Sequence, residues 1–202
     1  MSLVEQVSLS RSSGFDPGRT RPLAFWGMAT AITTEAMLFA GLLSSYFYLQ
    51  ATSEEWPLGG LPHPQLGVVS VFSAVLLGSS APVWWAERAI ARDDVAGLRA
   101  GLAVAWVMGA AFLTFTVYEW STAEFSVSAN AYASVFHSTV GLHALHLTVG
   151  LALGVGVQAK AWTGRLSAAR HATVTLFAMY WHFVDAVWVA VFTSLYLSPR
   201  WT

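Results

Sequence analysis

Five ionisable side chains interrupt stretches of this sequence that are otherwise apolar. They are Glu35, His143, His146, His182 and Asp185, and each lies near the middle of a long apolar run. Helical residues three apart share a face, so the two histidines of one run point the same way, as do His182 and Asp185. A charged, unpaired side chain at the centre of a bilayer costs at least about 2.5–3.5 kcal/mol. We therefore expect one buried polar layer, with Glu35 against one imidazole and Asp185 against another.

Three chemistries are compatible with such a layer. The groups could lock helices together by hydrogen bonds, or Glu35 could exchange protons or contact lipid as a desolvated carboxylate. The histidines could instead bind a metal, or His146 and His182 could hold a haem between two helices. The chain has no cysteine and so no CxxCH attachment motif, and a haem site does not need two carboxylates. The first two readings are favoured, and a small b-type cytochrome stays as an alternative.

The elements that position these residues follow from composition. Of 202 residues, 55% are hydrophobic and only 10% are charged, against roughly 25% charged residues in ordinary globular domains. A bilayer core of about 30 Å needs roughly 20 apolar residues in a helix. Five runs meet that requirement, at about 23–49, 66–86, 98–120, 132–157 and 172–197. The sequence predicts an all-α bundle of five transmembrane helices, a single membrane domain over residues 22–202.

The positive charges predict an orientation, because Lys and Arg stay on the cytoplasmic side of a membrane. With a cytoplasmic N-terminus, nine of the ten Lys and Arg residues lie inside and only Arg200 lies outside. The nine are Arg11, Arg19, Arg21, Arg88, Arg92, Arg99, Lys160, Arg165 and Arg170. Residues 1–21 lack an apolar core and are expected to form a short cytoplasmic tail.

Other function classes are excluded by what the sequence lacks. A net charge of -1 gives no basic surface for nucleic acid. The phosphate-binding, nucleophile-elbow and zinc-protease motifs GxGxxG, Walker A, GxSxG and HExxH are all absent. The chain is therefore not expected to be a soluble enzyme.

Two local features predict details of packing. Gly150 and Gly154 lie four apart, the small-residue pattern that lets helix backbones approach closely. Pro82 should kink the second span, and Ser79 and Ser80 could satisfy the carbonyl groups that the kink frees.

Four motifs carry a resemblance to one family. Residues 180–188, Tyr-Trp-His-Phe-Val-Asp-Ala-Val-Trp, are similar to the YWHFVD-x-VW signature of cytochrome oxidase subunit III. Residues 141–146 resemble that family's GFHGLH segment, with Ala144 in place of a glycine. Tyr118-Glu119-Trp120 resembles its glutamate-aromatic step, and residues 34–39 resemble its S-E-x-M-F-F run around Glu35. The motifs occur in the family's order and spacing, so the resemblance covers about residues 22–197.

The resemblance implies a function for the chain. It would be an accessory, non-redox subunit docked on oxidase subunits I and II in the inner membrane of a bacterium. That complex, a cytochrome c oxidase, reduces oxygen to water and pumps protons in aerobic respiration. Subunit III would stabilise subunit I, support proton uptake and bind phospholipid, while haem and copper stay in the partner subunits. No catalytic or metal-binding residue is then expected here. Glu35, Glu119, His143, His146, His182 and Asp185 would form its buried polar network.

The chain also departs from the family pattern. Many members have seven helices, and the first two have no counterpart here, so the lipid-binding cleft between those two and the other five cannot be complete. The shorter form also resembles subunits III of quinol oxidases and a nitric-oxide-reductase accessory protein. These remain alternatives at this point.

Overall fold

The protein is described by a computed structural model that covers residues 23–62, 66–123 and 125–200. Its helices are α1 (Leu23–Thr52), α2 (Leu66–Gly78), α3 (Ser80–Ala91), α4 (Val95–Ser121), α5 (Ala131–Trp162) and α6 (Ala172–Phe192). A π-helical turn, Thr193–Leu197, continues α6, and α2 and α3 together form one span. Five helices are thus long and apolar enough to cross a membrane. The prediction of five spans is confirmed, with ends up to five residues longer than the apolar runs.

The five spans alternate in direction, so their connections gather at two ends of the bundle. At one end, Ala168 donates its backbone N–H to Asp93 at 2.8 Å and joins two connections. At the other end, the Asn130 amide donates to the Leu58 carbonyl. The first of these, here the basic end, carries Arg88, Arg92, Arg99, Lys160, Arg165 and Arg170. The N-terminal tail with Arg11, Arg19 and Arg21 lies outside the described residues.

Helices α5 and α6 form the centre of the bundle. Helix α6 packs against α1, α2, α3 and α5, and α5 packs also against α1 and α4. The largest fully buried side chains include Trp181 and Trp188 of α6. Their indole N–H groups donate to the hydroxyls of Ser79 and Ser73 at 2.8 and 2.9 Å. These bonds fasten α6 to the second span.

The second span breaks at Ser79, three residues before Pro82. Proline lacks the backbone N–H that would continue the helix, which explains a break at this point. The sequence suggested that the hydroxyls of Ser79 and Ser80 would bond to the carbonyl groups freed at the break, and the structure does not show these bonds. Their hydroxyls instead bond with side chains of α6, because that helix offers indole, imidazole and carboxyl partners across the interface.

The closest approach of two helices is not at the predicted glycines. A Cβ atom added at Gly150 or Gly154 would meet the aromatic rings of α6 at 3.4–3.5 Å, which is ordinary contact. At Gly101 of α4, an added Cβ would lie 2.6 Å from the carbonyl oxygen of Pro82 and 2.9 Å from Cβ of Ala86. Only glycine fits there, so α3 and α4 meet almost backbone to backbone. Aromatic rings fill the space beside Gly150 and Gly154 instead.

Candidate functional site

The first polar group in the membrane interior joins α1 to α5. Glu35 Oε2 lies 2.9 Å from His146 Nε2, and the ring of Phe39 packs edge-on to the imidazole with centroids 5.2 Å apart. The Glu35 side chain is 37% exposed and that of His146 is 10% exposed. The pair is therefore covered by protein on the histidine side and reachable from the surface of the bundle on the carboxyl side.

The second nitrogen of His146 determines how protons are placed in this pair. His146 Nδ1 lies 2.7 Å from the carbonyl oxygen of Leu142, which can only accept, so Nδ1 carries a proton. The bond between Nε2 and Glu35 then needs one further proton, held by either the imidazole or the carboxyl group. Without it, two acceptors would face each other. The hydrogen-bonded pair is therefore a binding site for a single proton.

The second polar group joins α3 to α6. The Ser80 hydroxyl donates to Asp185 Oδ2 and lies 3.0 Å from His182 Nδ1. A hydroxyl has one proton to give, so His182 Nδ1 donates to Ser80 when Ser80 donates to Asp185. Asp185 is 5% exposed, and its other oxygen, Oδ1, is buried without a hydrogen bond among the described residues. Unlike Glu35, Asp185 is enclosed by the protein, and it meets a hydroxyl where an imidazole was predicted.

His143 stands apart from both groups, although it shares a helix face with His146. It is 1% exposed, and neither ring nitrogen has a hydrogen-bond partner among the described residues. Its ring lies 4.7 Å from that of Trp188 and 6.0 Å from that of Phe112, centroid to centroid. Aromatic side chains of α4 and α6 face it, so it packs as a ring in the core and takes no part in the predicted polar layer.

Glu119 also lies away from the mid-membrane groups. It is two residues before the end of α4 and is half-buried. Among the described residues its carboxyl group has no hydrogen bond or ion pair. The structure therefore places the six predicted residues in two hydrogen-bonded groups and at two separate positions.

The fit of a cofactor depends on which histidine nitrogens already have protein partners. Within the described ranges, no group of three or more His, Asp or Glu side chains could hold a metal ion. Both nitrogens of His146 are engaged by protein oxygens, and His182 Nδ1 is engaged by Ser80. With both nitrogens engaged, His146 fits a hydrogen-bonding role better than that of an axial haem ligand.

Sequence reasoning missed two members of the site. Ser80 is the bridge between His182 and Asp185, and Tyr180 donates its hydroxyl to the His146 carbonyl at 3.1 Å. The only sequence feature that pointed to Ser80 was its position near Pro82, and that position suggested a hydrogen bond to a backbone carbonyl group. Nothing in the sequence separates Tyr180 from other aromatic residues of the last span.

The sequence is similar to one family of known proteins. Residues 20–201 match the family model described as cytochrome c oxidase subunit III. The chain is 34% identical to cytochrome c oxidase subunit 3 of Thermostichus vulcanus over 86% of its own length and 87% of that protein. It is 31% identical to the Synechocystis protein of that name, over 95% and 85% of the two chains. The Lumbricus terrestris protein is 32% identical, over 85% of this chain and 68% of its own.

Proposed function

Because this chain belongs to the cytochrome c oxidase subunit III family, and is thus one subunit of a hetero-oligomeric respiratory oxidase, we propose that it is an accessory subunit without a redox centre of its own. His146 supports this proposal, since protein oxygens contact both of its ring nitrogens and leave neither free for haem iron. Haem and copper then belong to the partner subunits, and a b-type cytochrome would lack one of its two axial ligands.

We propose further that the exposed face of α1 is where the oxidase subunits I and II, chiefly subunit I, cover this chain. In the most apolar 18-residue stretch of α1, only 6% is buried within the chain, whereas the corresponding stretches of the other spans are 28–44% buried. Large apolar side chains such as Met37, Leu38 and Phe47 are 70%, 54% and 45% exposed on it. So much surface left uncovered by the chain leaves room for a neighbouring subunit to pack against α1.

The proposed contribution to the oxidase is support of proton uptake through Glu35 and His146. The observation that carries this proposal is the 2.9 Å contact, which requires one proton between two titratable groups. The partly exposed carboxyl group lets that proton be exchanged. Intramembrane ionisable residues are in general associated with proton or ion pathways.

Glu35→Gln tests this function, because the amide keeps the shape and can donate to His146 Nε2 but cannot carry the exchangeable proton. We expect the oxidase, purified through a tag on this chain, to retain subunits I and II. Its proton-coupled turnover should slow or fail sooner. The loss should stay below the roughly 100-fold typical of removing a catalytic acid–base group, because Glu35 does not act on the reacting atoms. Turnover and co-eluting chains are measured together.

The matched control is Glu119→Gln, the same change at a carboxyl group that has no hydrogen-bonded partner among the described residues. It should leave both turnover and its durability unchanged. A Glu35→Gln variant that fails to assemble, while the remaining oxidase turns over normally, would show that the residue is structural.

The proposed location is the inner membrane of a bacterium, with the basic end of the bundle in the cytoplasm. Six Lys and Arg residues lie at that end, and Glu54 and Glu55 lie at the other. Because the chain has no cysteine, single cysteines report sidedness directly. In intact spheroplasts a membrane-impermeant maleimide should label Thr122→Cys but label Thr163→Cys only after lysis. The reverse pattern would contradict this orientation.

A further inference from the structure

Four buried polar atoms lie at the end of the bundle opposite the basic end. They are the hydroxyl oxygens of Tyr46, Tyr132 and Tyr196 and the indole nitrogen of Trp56, and none has a hydrogen-bond partner among the described residues. Tyr46 lies in the last two turns of α1, Trp56 in the connection that follows, and Tyr132 in the first turn of α5. Tyr196 lies in the π-helical turn after α6. The ends of three spans and one connection therefore bring these groups to the same end of the bundle.

Three of these residues, Tyr46, Trp56 and Tyr132, pack against one another and are here called the tyrosine–tryptophan cluster. The Trp56 ring lies 5.1 Å from the Tyr46 ring and 5.0 Å from the Tyr132 ring, centroid to centroid, and both contacts are edge-on. The rings of the two tyrosines are 6.2 Å apart. Trp56 and Ser198 lie beside the Tyr46 hydroxyl but outside hydrogen-bonding geometry, and the Ser198 hydroxyl donates to the Ser194 carbonyl instead. The unpaired atoms of the cluster thus share one small region between α1, α5 and the connection.

These buried donors need acceptors. A buried donor that stays unpaired shifts the folding equilibrium toward the unfolded chain by roughly fivefold or more, and native proteins pair nearly all of their buried polar groups. Tyr46 and Tyr132 are 0% exposed, so a neighbouring subunit cannot reach their hydroxyls. A water molecule is small enough to enter such a region, where it both accepts and donates and makes about three hydrogen bonds.

We propose that the tyrosine–tryptophan cluster binds ordered water, which bridges the Trp56 N–H to the hydroxyls of Tyr46 and Tyr132. The water accepts from the indole and from one hydroxyl and donates to the oxygen of the other. It fastens the connection 53–62 to the ends of α1 and α5, beside the bond from the Asn130 amide to the Leu58 carbonyl. The first span, which packs lightly against the rest of the chain, gains a second polar attachment in this way. The site does not depend on the accessory role proposed above.

X-ray footprinting of the assembled oxidase, in water labelled with heavy oxygen, detects such a site. The beam makes hydroxyl radicals from water wherever it lies, and radicals made from a bound water attack the side chains beside it even where bulk solvent cannot reach. Mass spectrometry should find heavy-oxygen adducts on Tyr46 and Tyr132. Trp181 is the control, because it is 1% exposed and its indole N–H already donates to the Ser79 hydroxyl. It should be labelled much more slowly than the two tyrosines.

Removal of one hydroxyl gives a second test, read from the unfolding of the full chain in phospholipid bicelles. Tyr132→Phe should raise the equilibrium constant for unfolding about fivefold, the loss expected for one hydrogen bond. Tyr46→Phe should cost less in the Tyr132→Phe chain than alone, because the two hydroxyls share the water. Tyr48→Phe is the control, since Tyr48 is 68% exposed on α1, and it should leave the equilibrium constant unchanged.

The sign of the Tyr132→Phe effect separates the two possible states of the cluster. A hydroxyl that is buried without any partner destabilises the fold, so its removal would make the chain more stable. That gain in stability would overturn the proposal. A loss of stability with Tyr46 and Tyr132 labelled no faster than Trp181 would overturn it too, because a protein group would then supply the acceptor.

Discussion

The first span and the bundle of the other four spans are covered to very different degrees by the rest of the chain. Within the described residues, α1 buries only Phe39 and Tyr46, and the bond from Glu35 to His146 is one polar link from it to another helix. The other spans are joined by two tryptophan–serine bonds, by the Ser80 group and by the near-backbone contact at Gly101. The first span leaves most of its surface free for contacts outside the chain, whereas the other four spans are fastened to one another.

This difference separates two polar groups that look alike in the sequence. Both combine a carboxylate and a histidine at the middle of a span. Glu35 lies on the open helix, and 37% of its side chain is left uncovered by the rest of the chain. Asp185 lies at 5% exposure between packed helices, with its hydroxyl partner in place. Burial, more than residue type, separates the group proposed to exchange protons from the one that fastens helices.

The largest effect is expected where the inner bundle is tightest. Gly101→Ala places a methyl group 2.6 Å from a carbonyl oxygen that belongs to backbone and cannot swing away. Helices α3 and α4 must separate, which should lower the free energy of unfolding by about 1–3 kcal/mol. The measurement is unfolding of the full chain in phospholipid bicelles.

The matched change on the outer helix is Gly41→Ala. An added Cβ at Gly41 meets nothing within 4 Å, so the stability of the chain in bicelles should stay the same or rise by up to about 1 kcal/mol, because alanine favours the helix over glycine. Equal losses at the two glycines would contradict the distinction between an open first helix and a tightly packed inner bundle.

The spans could be read from the sequence because hydropathy depends on composition alone. The length of each apolar run and the charged breaks between runs set the five helices to within a few residues. The contact of Glu35 with an imidazole followed from the same reasoning, since an isolated charge at membrane depth is so unfavourable. These inferences require only that the helices pack together, in whatever order.

The partner of each polar side chain could not be predicted from the sequence, because it depends on which helices are neighbours. His143 and His146 are one turn apart on α5, yet the first faces Phe112 and Trp188 while the second faces Glu35. Helical spacing predicts a shared face but not the side chain across from it. The same limit applies to Ser80, whose hydroxyl crosses to α6 because α6 presents His182 and Asp185 there.

A smaller effect is expected from Ser80→Ala, which removes the hydroxyl that joins His182 to Asp185 and leaves both without that partner. Interhelical hydrogen bonds in membranes average about 0.6 kcal/mol each, so the loss of two should cost about 1 kcal/mol in bicelle unfolding. Ser45→Ala is the control, because the Ser45 hydroxyl is exposed on α1 and bonds only to the carbonyl of Gly41 in its own helix. It should change stability by less than about 0.5 kcal/mol. If the two serine variants lose the same stability, the Ser80 group does not join α3 to α6, and the inner bundle depends on packing alone.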